Sequence, residues 1–405
     1  MAVGLSQPET LHPVKGVKLA SCCCGIKNNS AKHDLVLLEI NEQSTVAAVF
    51  TKNKFCAAPV SVAKDHLKQS SARYLLINSG NANAGTGIQG ITSSVSTCEC
   101  VAKIAGVNES NVIPFSTGVI GAQLPFDLIN NAIPDLFNQI KAVEAEENWL
   151  AAAIAIMTTD TIPKAISRQV DIAGKVVTVT GMSKGSGMIK PDMATMLAYV
   201  ATDAVISQHE LQTCLNLAVK KSFNSITVDG DTSTNDACVL IATGNSQVKV
   251  DASHEMFLQA LIDVFISLAQ FIVRDGEGAT KFIQIKVNSA KSNSDAKELA
   301  YTIAHSPLVK TAMFASDANW GRILAAIGRA PIELNIDKVD LYLGDVCLIK
   351  NGLPDKDYSE QRGQLEMSKE DISVHVELNA GDQEATIWTT DLSYDYVKIN
   401  AEYRS

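Results

Sequence analysis

Apolar residues fall along this chain in short blocks, some with the period of strands and some with that of helices. Residues 35–40 (Leu-Val-Leu-Leu-Glu-Ile) and 44–50 have the length and β-branched content of buried strands. A third apolar run, 74–77, ends in Asn78-Ser79-Gly80-Asn81-Ala82-Asn83-Ala84-Gly85-Thr86-Gly87, which predicts a loop or a helix entry. Helical character marks 95–104 and 125–153, with Pro134 expected to break or kink the second. Residues 176–180 predict a strand, 181–191 a loop carrying three glycines, and 196–201 another strand. Residues 207–222 predict a helix: Ser207 and Glu210 form a capping box, and Leu211, Leu215 and Ala218 share a face. A longer helix is predicted over 255–274, with Gly276 placed to end it in the left-handed conformation. Gln259, Asp263 and Gln270 interrupt its apolar run, so it reads as a buried helix and not as a membrane span. A helix follows Trp320 to Ile327, and short strands are predicted at 339–342, 346–349, 372–378 and 385–389. Strands and helices interleave without a regular βαβ repeat. That pattern predicts an α/β fold of α+β layers, sheets packed with helices, and not a dinucleotide-binding sheet. The glycine loop suggests a boundary near 190–200.

Composition narrows the class. The chain has 405 residues, 46% hydrophobic and 19% charged, enough core for two lobes. A net charge of −10 leaves no basic footprint for nucleic acid. The nine cysteines are irregularly spaced, with Cys22, Cys23 and Cys24 adjacent, and read as reduced thiols of a cytoplasmic protein. Cys98-Glu99-Cys100 is not a CxxC, and the histidines form neither HxxxH nor HExxH, so no metal is expected. Residues 1–18 lack the apolar core of a signal peptide.

The sharpest chemical signal is Lys184-Gly185-Ser186-Gly187-Met188-Ile189-Lys190-Pro191-Asp192-Met193-Ala194-Thr195-Met196-Leu197-Ala198. A hydroxyl residue follows a small one and opens an apolar strand, and glycines upstream allow unusual backbone conformations. This order is compatible with attack of the Thr195 hydroxyl on the Ala194 carbonyl, giving an ester that water cleaves. The freed α-amine, with an ordinary pKa of about 7.7–8, would then activate the neighbouring hydroxyl, which is otherwise a weak nucleophile. Spacing alone favours a threonine that starts an ordinary strand after a flexible loop. Lys184-Gly185-Ser186-Gly187 lacks the GxxxxGK[ST] order of a phosphate loop.

Further segments extend the signal: Gly25-Ile26-Lys27, Ala48-Val49-Phe50-Thr51-Lys52-Asn53, Asn78 to Asn83, Ser116-Thr117-Gly118-Val119-Ile120-Gly121, Met157-Thr158-Thr159-Asp160-Thr161, Asp275-Gly276-Glu277-Gly278-Ala279-Thr280-Lys281, Asp317-Ala318-Asn319-Trp320-Gly321-Arg322 and Asn400-Ala401-Glu402-Tyr403-Arg404-Ser405. In this order, and over nearly the whole chain, they resemble the ornithine acetyltransferase (ArgJ) family, the glutamate N-acetyltransferases of the cyclic arginine pathway.

The resemblance implies an N-terminal-nucleophile type fold and cleavage between Ala194 and Thr195. The products would be an α chain, 1–194, and a β chain, 195–405, which stay together as a heterotetramer of two α and two β chains. Thr195 would carry acetyl from N2-acetylornithine to glutamate in a ping-pong exchange without a cofactor. Some members of the family also take acetyl from acetyl-CoA, and the sequence leaves open whether this one does. By similarity, the Thr117 hydroxyl and the Gly118 amide stabilise the oxyanion. Thr158, Lys184, Thr195, Glu277, Asn400 and Ser405 bind substrate, Lys184 suiting a carboxylate and Glu277 an ammonium. Read without the family, Thr117-Gly118 is a tight turn, and Lys184 and Glu277 are solvated charges. Asn400 and Ser405 require the C-terminal tail to fold back over the site. Residues 224–236 read as a structural loop, because the closing Glu of an EF-hand is missing. Trp320 and Arg322 read as a packed aromatic and a buried or subunit-facing charge. The chain departs from the family at Ala315 and Ala318, where Gly and Pro are usual, and at Asp192, where Asn is usual. Two other readings share the segment around Thr195: an N-terminal-nucleophile aminopeptidase or amidase, and a binding protein in which Thr195 is structural.

Overall fold

Strand Leu35–Ile40 shows how patterning builds the layers. Leu35 and Leu37 face one way and Val36, Leu38 and Ile40 the other, all wholly buried, so the strand has a core on both sides. A computed structural model of the chain describes residues 2–8, 10–27, 32–140, 146–190 and 196–402. It divides into two compact units. The larger is Ser6–Asn224 with Asp231–Ile272; the smaller is Met1–Leu5, Ser225–Gly230 and Val273–Ser405.

In the larger unit the strands are β1 (Val17–Cys22), β2 (Leu35–Ile40), β3 (Thr45–Phe50), β4 (Tyr74–Asn81), β5 (Val112–Val119), β6 (Lys164–Ile172), β7 (Lys175–Lys184), β8 (Leu197–Thr202) and β9 (Ala237–Ala242). Its helices are α1 (Ala58–Gln69), α2 (Gly87–Ala105), α3 (Phe126–Ile140), α4 (Glu146–Ala155), α5 (Gln208–Lys221) and α6 (Glu255–Arg274). One sheet has the order β1-β2-β4-β5, the other β3-β9-β8-β7-β6. The two face each other across one core, where Val36, Leu38, Leu75, Ile77 and Phe115 meet Met182, Leu197, Tyr199 and Val239. Helices α2 and α3 cover the outer face of the first sheet through Cys98, Val101, Ile129, Ile133 and Leu136. Helix α6 lies so close on the second sheet that a Cβ at Gly181 would stand 2.9 Å from Leu268. This α6 is the one described helix long and apolar enough to cross a membrane. Its Phe257, Leu261, Val264, Phe265 and Leu268 are wholly buried in the fold.

The smaller unit holds β10 (Phe282–Ala290), β11 (Asp340–Leu343), β12 (Val346–Lys350), β13 (Leu353–Pro354), β14 (Asp371–Glu377) and β15 (Gln383–Thr390) in the order β13-β12-β11-β14-β10-β15. Helices α7 (Asn293–Ala304), α8 (Pro307–Phe314), α9 (Trp320–Gly328), α10 (Glu360–Met367) and α11 (Tyr394–Ala401) complete it. Leu299, Ile303, Met313, Ile323 and Ile327 pack with the sheet in a single core, and Trp320 packs against it. Arg322 donates to the Leu308 carbonyl at 2.9 Å.

The α/β layers match expectation, but five local readings change. The strand that starts at Tyr74 runs on through the polar cluster to Asn81, because parallel pairing with β5 supplies its backbone partners. Gly181–Lys184, read as loop, completes β7 in register with Leu197–Val200. Pro134 neither breaks nor ends α3. It is exposed, and Cys100 Sγ donates to the Asn130 carbonyl at 3.7 Å, the acceptor that a proline at 134 leaves without its helical donor. Gly276 does not adopt the left-handed conformation after α6; Gly278 does, at φ +68°. The 190–200 region is not a boundary between units, since Lys190 and Met196 both lie in the larger one. Burial pushes the Cys22 thiol up to about 12, with Asp34 adding to the effect, so that this part of the cysteine run is a packed and unreactive thiol.

Candidate active site

Thr117 and Gly118 sit at the end of β5, not in a tight turn, beside a bulge in β4 at Gly80 and Asn81. Gly118 has φ +133°, and a Cβ there would lie 2.3 Å from the Gly80 carbonyl carbon. Only glycine permits that approach. A polar network holds this strand end. Ser116 donates to Asn78 Oδ1 at 2.6 Å, and Asn235 Nδ2 donates to the carbonyls of Ala82 and Ser116 at 2.6 and 2.9 Å. The side chain of Asn53 donates to the Thr232 carbonyl, so the segment 232–236 is drawn into the same place.

Lys184 is the last residue of β7 and is half-buried. Behind it, Asp160 gathers three donors. Lys164 Nζ lies 2.6 Å from Oδ1, the Gly185 amide 2.7 Å from Oδ1, and the Thr158 amide 2.9 Å from Oδ2. Thr159 and Ser186 share a hydroxyl–hydroxyl bond of 2.7 Å. These links bring the loop of Thr158 onto the turn after Lys184. Burial pushes the Asp160 carboxyl up, but Lys164, then Lys184 and the Gly185 amide, overcome it and hold the group below the usual carboxylate range.

Thr117, Lys184, Gly185, Ser233, Asn235, Asp236 and Met196 line one cavity of about 30 Å³. That is room for a water or two and not for an amino acid. Met196 follows Thr195 directly. Ala194 and Thr195 lie outside the described residues, as do Asp192 and Ser405.

In the smaller unit Glu277 is buried and accepts from Asn400 Nδ2 at 2.8 Å, so the C-terminal helix α11 folds back on the 275–281 segment. A Cβ on Gly278 would stand 2.4 Å from the Tyr396 amide nitrogen, Ser393 donates to the Gly278 carbonyl, and Thr280 donates to Asp391. Glu277 and Asn400 are therefore a bonded pair and not separate surface groups. Sequence reasoning missed the roles of Asp160, Asn235 and Asp236. Their signal was composition: buried polar residues inside apolar surroundings need partners, and both segments join polar residues to strand-forming ones.

The comparisons with known proteins agree with these motifs. The ArgJ family model matches residues 18–405. The arginine biosynthesis bifunctional protein ArgJ of Pseudomonas fluorescens is 51% identical over 411 residues, covering 100% of both chains. The protein of the same name from Methylococcus capsulatus is 52% identical over 400 residues, 98% of this chain and 97% of its own. A crystal structure of the arginine biosynthesis bifunctional protein ArgJ from Bacillus halodurans shares 40% identity, covers 51% of this chain and 98% of its own, and has a TM-score of 0.49. The chain belongs to the ArgJ family, the acyltransferases of arginine biosynthesis that its motifs resemble.

Proposed function

We propose that this protein is a cytoplasmic glutamate N-acetyltransferase that cleaves itself between Ala194 and Thr195. It moves acetyl from N2-acetylornithine to glutamate through an ester on Thr195. The observation that supports the reading is the cavity that Thr117 and Lys184 line together with Met196, the residue that follows Thr195. In this reading the hydroxyl of Thr117 and the amide of Gly118 hold the oxyanion in both half-reactions. Lys184 takes a substrate carboxylate, and Glu277, set by Asn400, takes the ammonium. The freed α-amine of Thr195 accepts the hydroxyl proton on attack and returns it to the leaving amine. Acetyl-CoA serves as a second donor, in keeping with the bifunctional name of the relatives. The α and β chains stay paired and assemble as two of each.

Intact mass under denaturing conditions tests the cleavage. Wild type is expected as two fragments, 1–194 and 195–405, and Thr195→Ala as one full-length chain without transferase activity. An uncleaved wild type that still transfers acetyl would overturn the reading.

A further inference from the structure

We propose that Asp236 is the proton carrier for the self-cleavage before Thr195, an inference that rests on the function just proposed. Asp236 is 2% exposed and lines the same cavity as Thr117, Lys184 and Met196. It precedes β9, and the parallel register that pairs Ala237 with Leu197 sets Asp236 beside Met196, one peptide bond from Thr195. The Ala237 amide donates to the Met196 carbonyl at 2.9 Å, and the Thr51 amide donates to the Asp236 carbonyl at 2.9 Å. Ser233 favours the ionised form of the carboxyl through its hydroxyl and amide, while Oδ2 is buried with no partner among the described residues.

The contrast with Asp160 is informative. Both acids are buried, but Asp160 has a lysine and two amides on its oxygens. Among the described residues Asp236 has no contact ion pair. Burial pushes it well above the usual carboxylate range, and Ser233 and the charge of Lys184 offset only part of that. Among the described neighbours Lys184 is the charged group that faces it; Thr51, Met196, Leu197 and Asn235 do not titrate near neutrality. Two acids in one site, one ionised and one neutral, is the arrangement that divides electrostatic from proton-transfer work.

A neutral carboxyl can donate from one oxygen and accept on the other. In the first step Thr195 Oγ bonds to the Ala194 carbonyl carbon and the C–N bond breaks. Asp236 gives its proton to the departing nitrogen and takes the hydroxyl proton. In the second step a water oxygen bonds to the ester carbon and the C–Oγ bond breaks. Asp236 passes one water proton to Oγ. The acid ends as it began, and the sum is peptide plus water giving amine plus carboxylic acid. The cavity has room for the one water the second step consumes.

The test follows cleavage by intact mass after cell-free synthesis of wild type, Asp236→Asn and Ser233→Ala, across pH. Asp236→Asn is expected to persist as the full-length chain, cleaving about a hundredfold slower or worse. The wild-type rate should fall as pH rises through the carboxyl's range. Ser233→Ala should move that fall to higher pH, because it removes one interaction favouring the ionised form. Folding is checked on the uncleavable background: Thr195→Ala/Asp236→Asn should melt no lower than Thr195→Ala at neutral pH. Asp236→Asn cleaving at the wild-type rate, or an unmoved pH profile in Ser233→Ala, would overturn the role of Asp236 and leave that of Thr195 standing. Should the double variant misfold, the Ser233→Ala profile decides alone. A wild type that never cleaves removes the reading of Thr195 itself.

Discussion

At the scale of single residues, charge compensation and backbone space decide what the site tolerates. Asp160 and Lys164 are 0% and 1% exposed at their side chains, a buried pair in which each charge depends on the other. Asp160→Asn leaves the ammonium uncompensated and should cost about 3–5 kcal/mol, measured by urea unfolding on the Thr195→Ala background. The pH dependence has a definite sign. A carboxyl held below its ordinary value contributes stability that is present above about pH 4 and is lost as pH falls through its lower folded value. Wild type should keep this contribution well below pH 4, and Asp160→Asn should lack that part of the acid limb. Equal acid limbs would show that Asp160 is not held ionised. Gly118 makes the complementary case, since its φ of +133° and the 2.3 Å clash with Gly80 leave no room for a methyl group. Gly118→Ala should lose at least about 2 kcal/mol, and a Tm within a degree of wild type would refute the reading of a forced glycine.

At the scale of elements, what the sequence made legible was the local pattern. Strand β2 stands out by its four apolar residues Leu35 to Leu38 and β3 by Val46 to Phe50, and α5 stands out because Ser207 caps it, accepting the Glu210 amide. Strands whose polar residues are satisfied only by distant partners were not legible. Lys164 opens β6 as a buried cation whose partner is Asp160 in the preceding loop, and no local pattern marks that. The polar end of β4 is a strand because β5, reached only after α2, pairs with it. For the candidate site, the family's segments are what singled out Thr117, Lys184, Glu277 and Asn400 as expectations. Asp236, inside an Asp/Thr/Ser-rich stretch that reads as a structural loop, is buried by pairing with a segment forty residues earlier, about which spacing is silent. Helix α3 shows a local rule overridden. Its exposed Pro134 has no amide to give Asn130, yet the helix continues, carried by the burial of Ile129, Ile133, Leu136 and Phe137. Pro134→Ala restores the missing donor and should raise stability by about 1–2 kcal/mol, the interior penalty less the lost rigidity of the unfolded chain. A lower Tm for that variant would mean that the helix is built around the ring.

At the scale of the molecule, the order of strands bears on what cleavage can do. Cutting before Thr195 would divide the five-stranded sheet between the products, with β3, β6 and β7 in 1–194 and β8 and β9 in 195–405. The two strands of the second product lie inside those of the first. Residues 179–184 of β7 pair with 202–197 of β8, and all six residues of β3 pair with β9. Separating the products means opening both ladders and exposing the core between the sheets, where Met182 of one product packs with Leu197, Tyr199 and Val239 of the other. A single hinge cannot do that, because the ladders flank the inserted strands on opposite sides. The fragments should therefore remain together through gel filtration in native buffer and at high salt, which screens surface charge and leaves burial intact. They should part only across the main urea transition, with loss of co-elution and loss of ellipticity at the same midpoint. Co-elution lost well before the fold is lost would show that the two products associate through a detachable surface, and the interlaced sheet would not be what holds them.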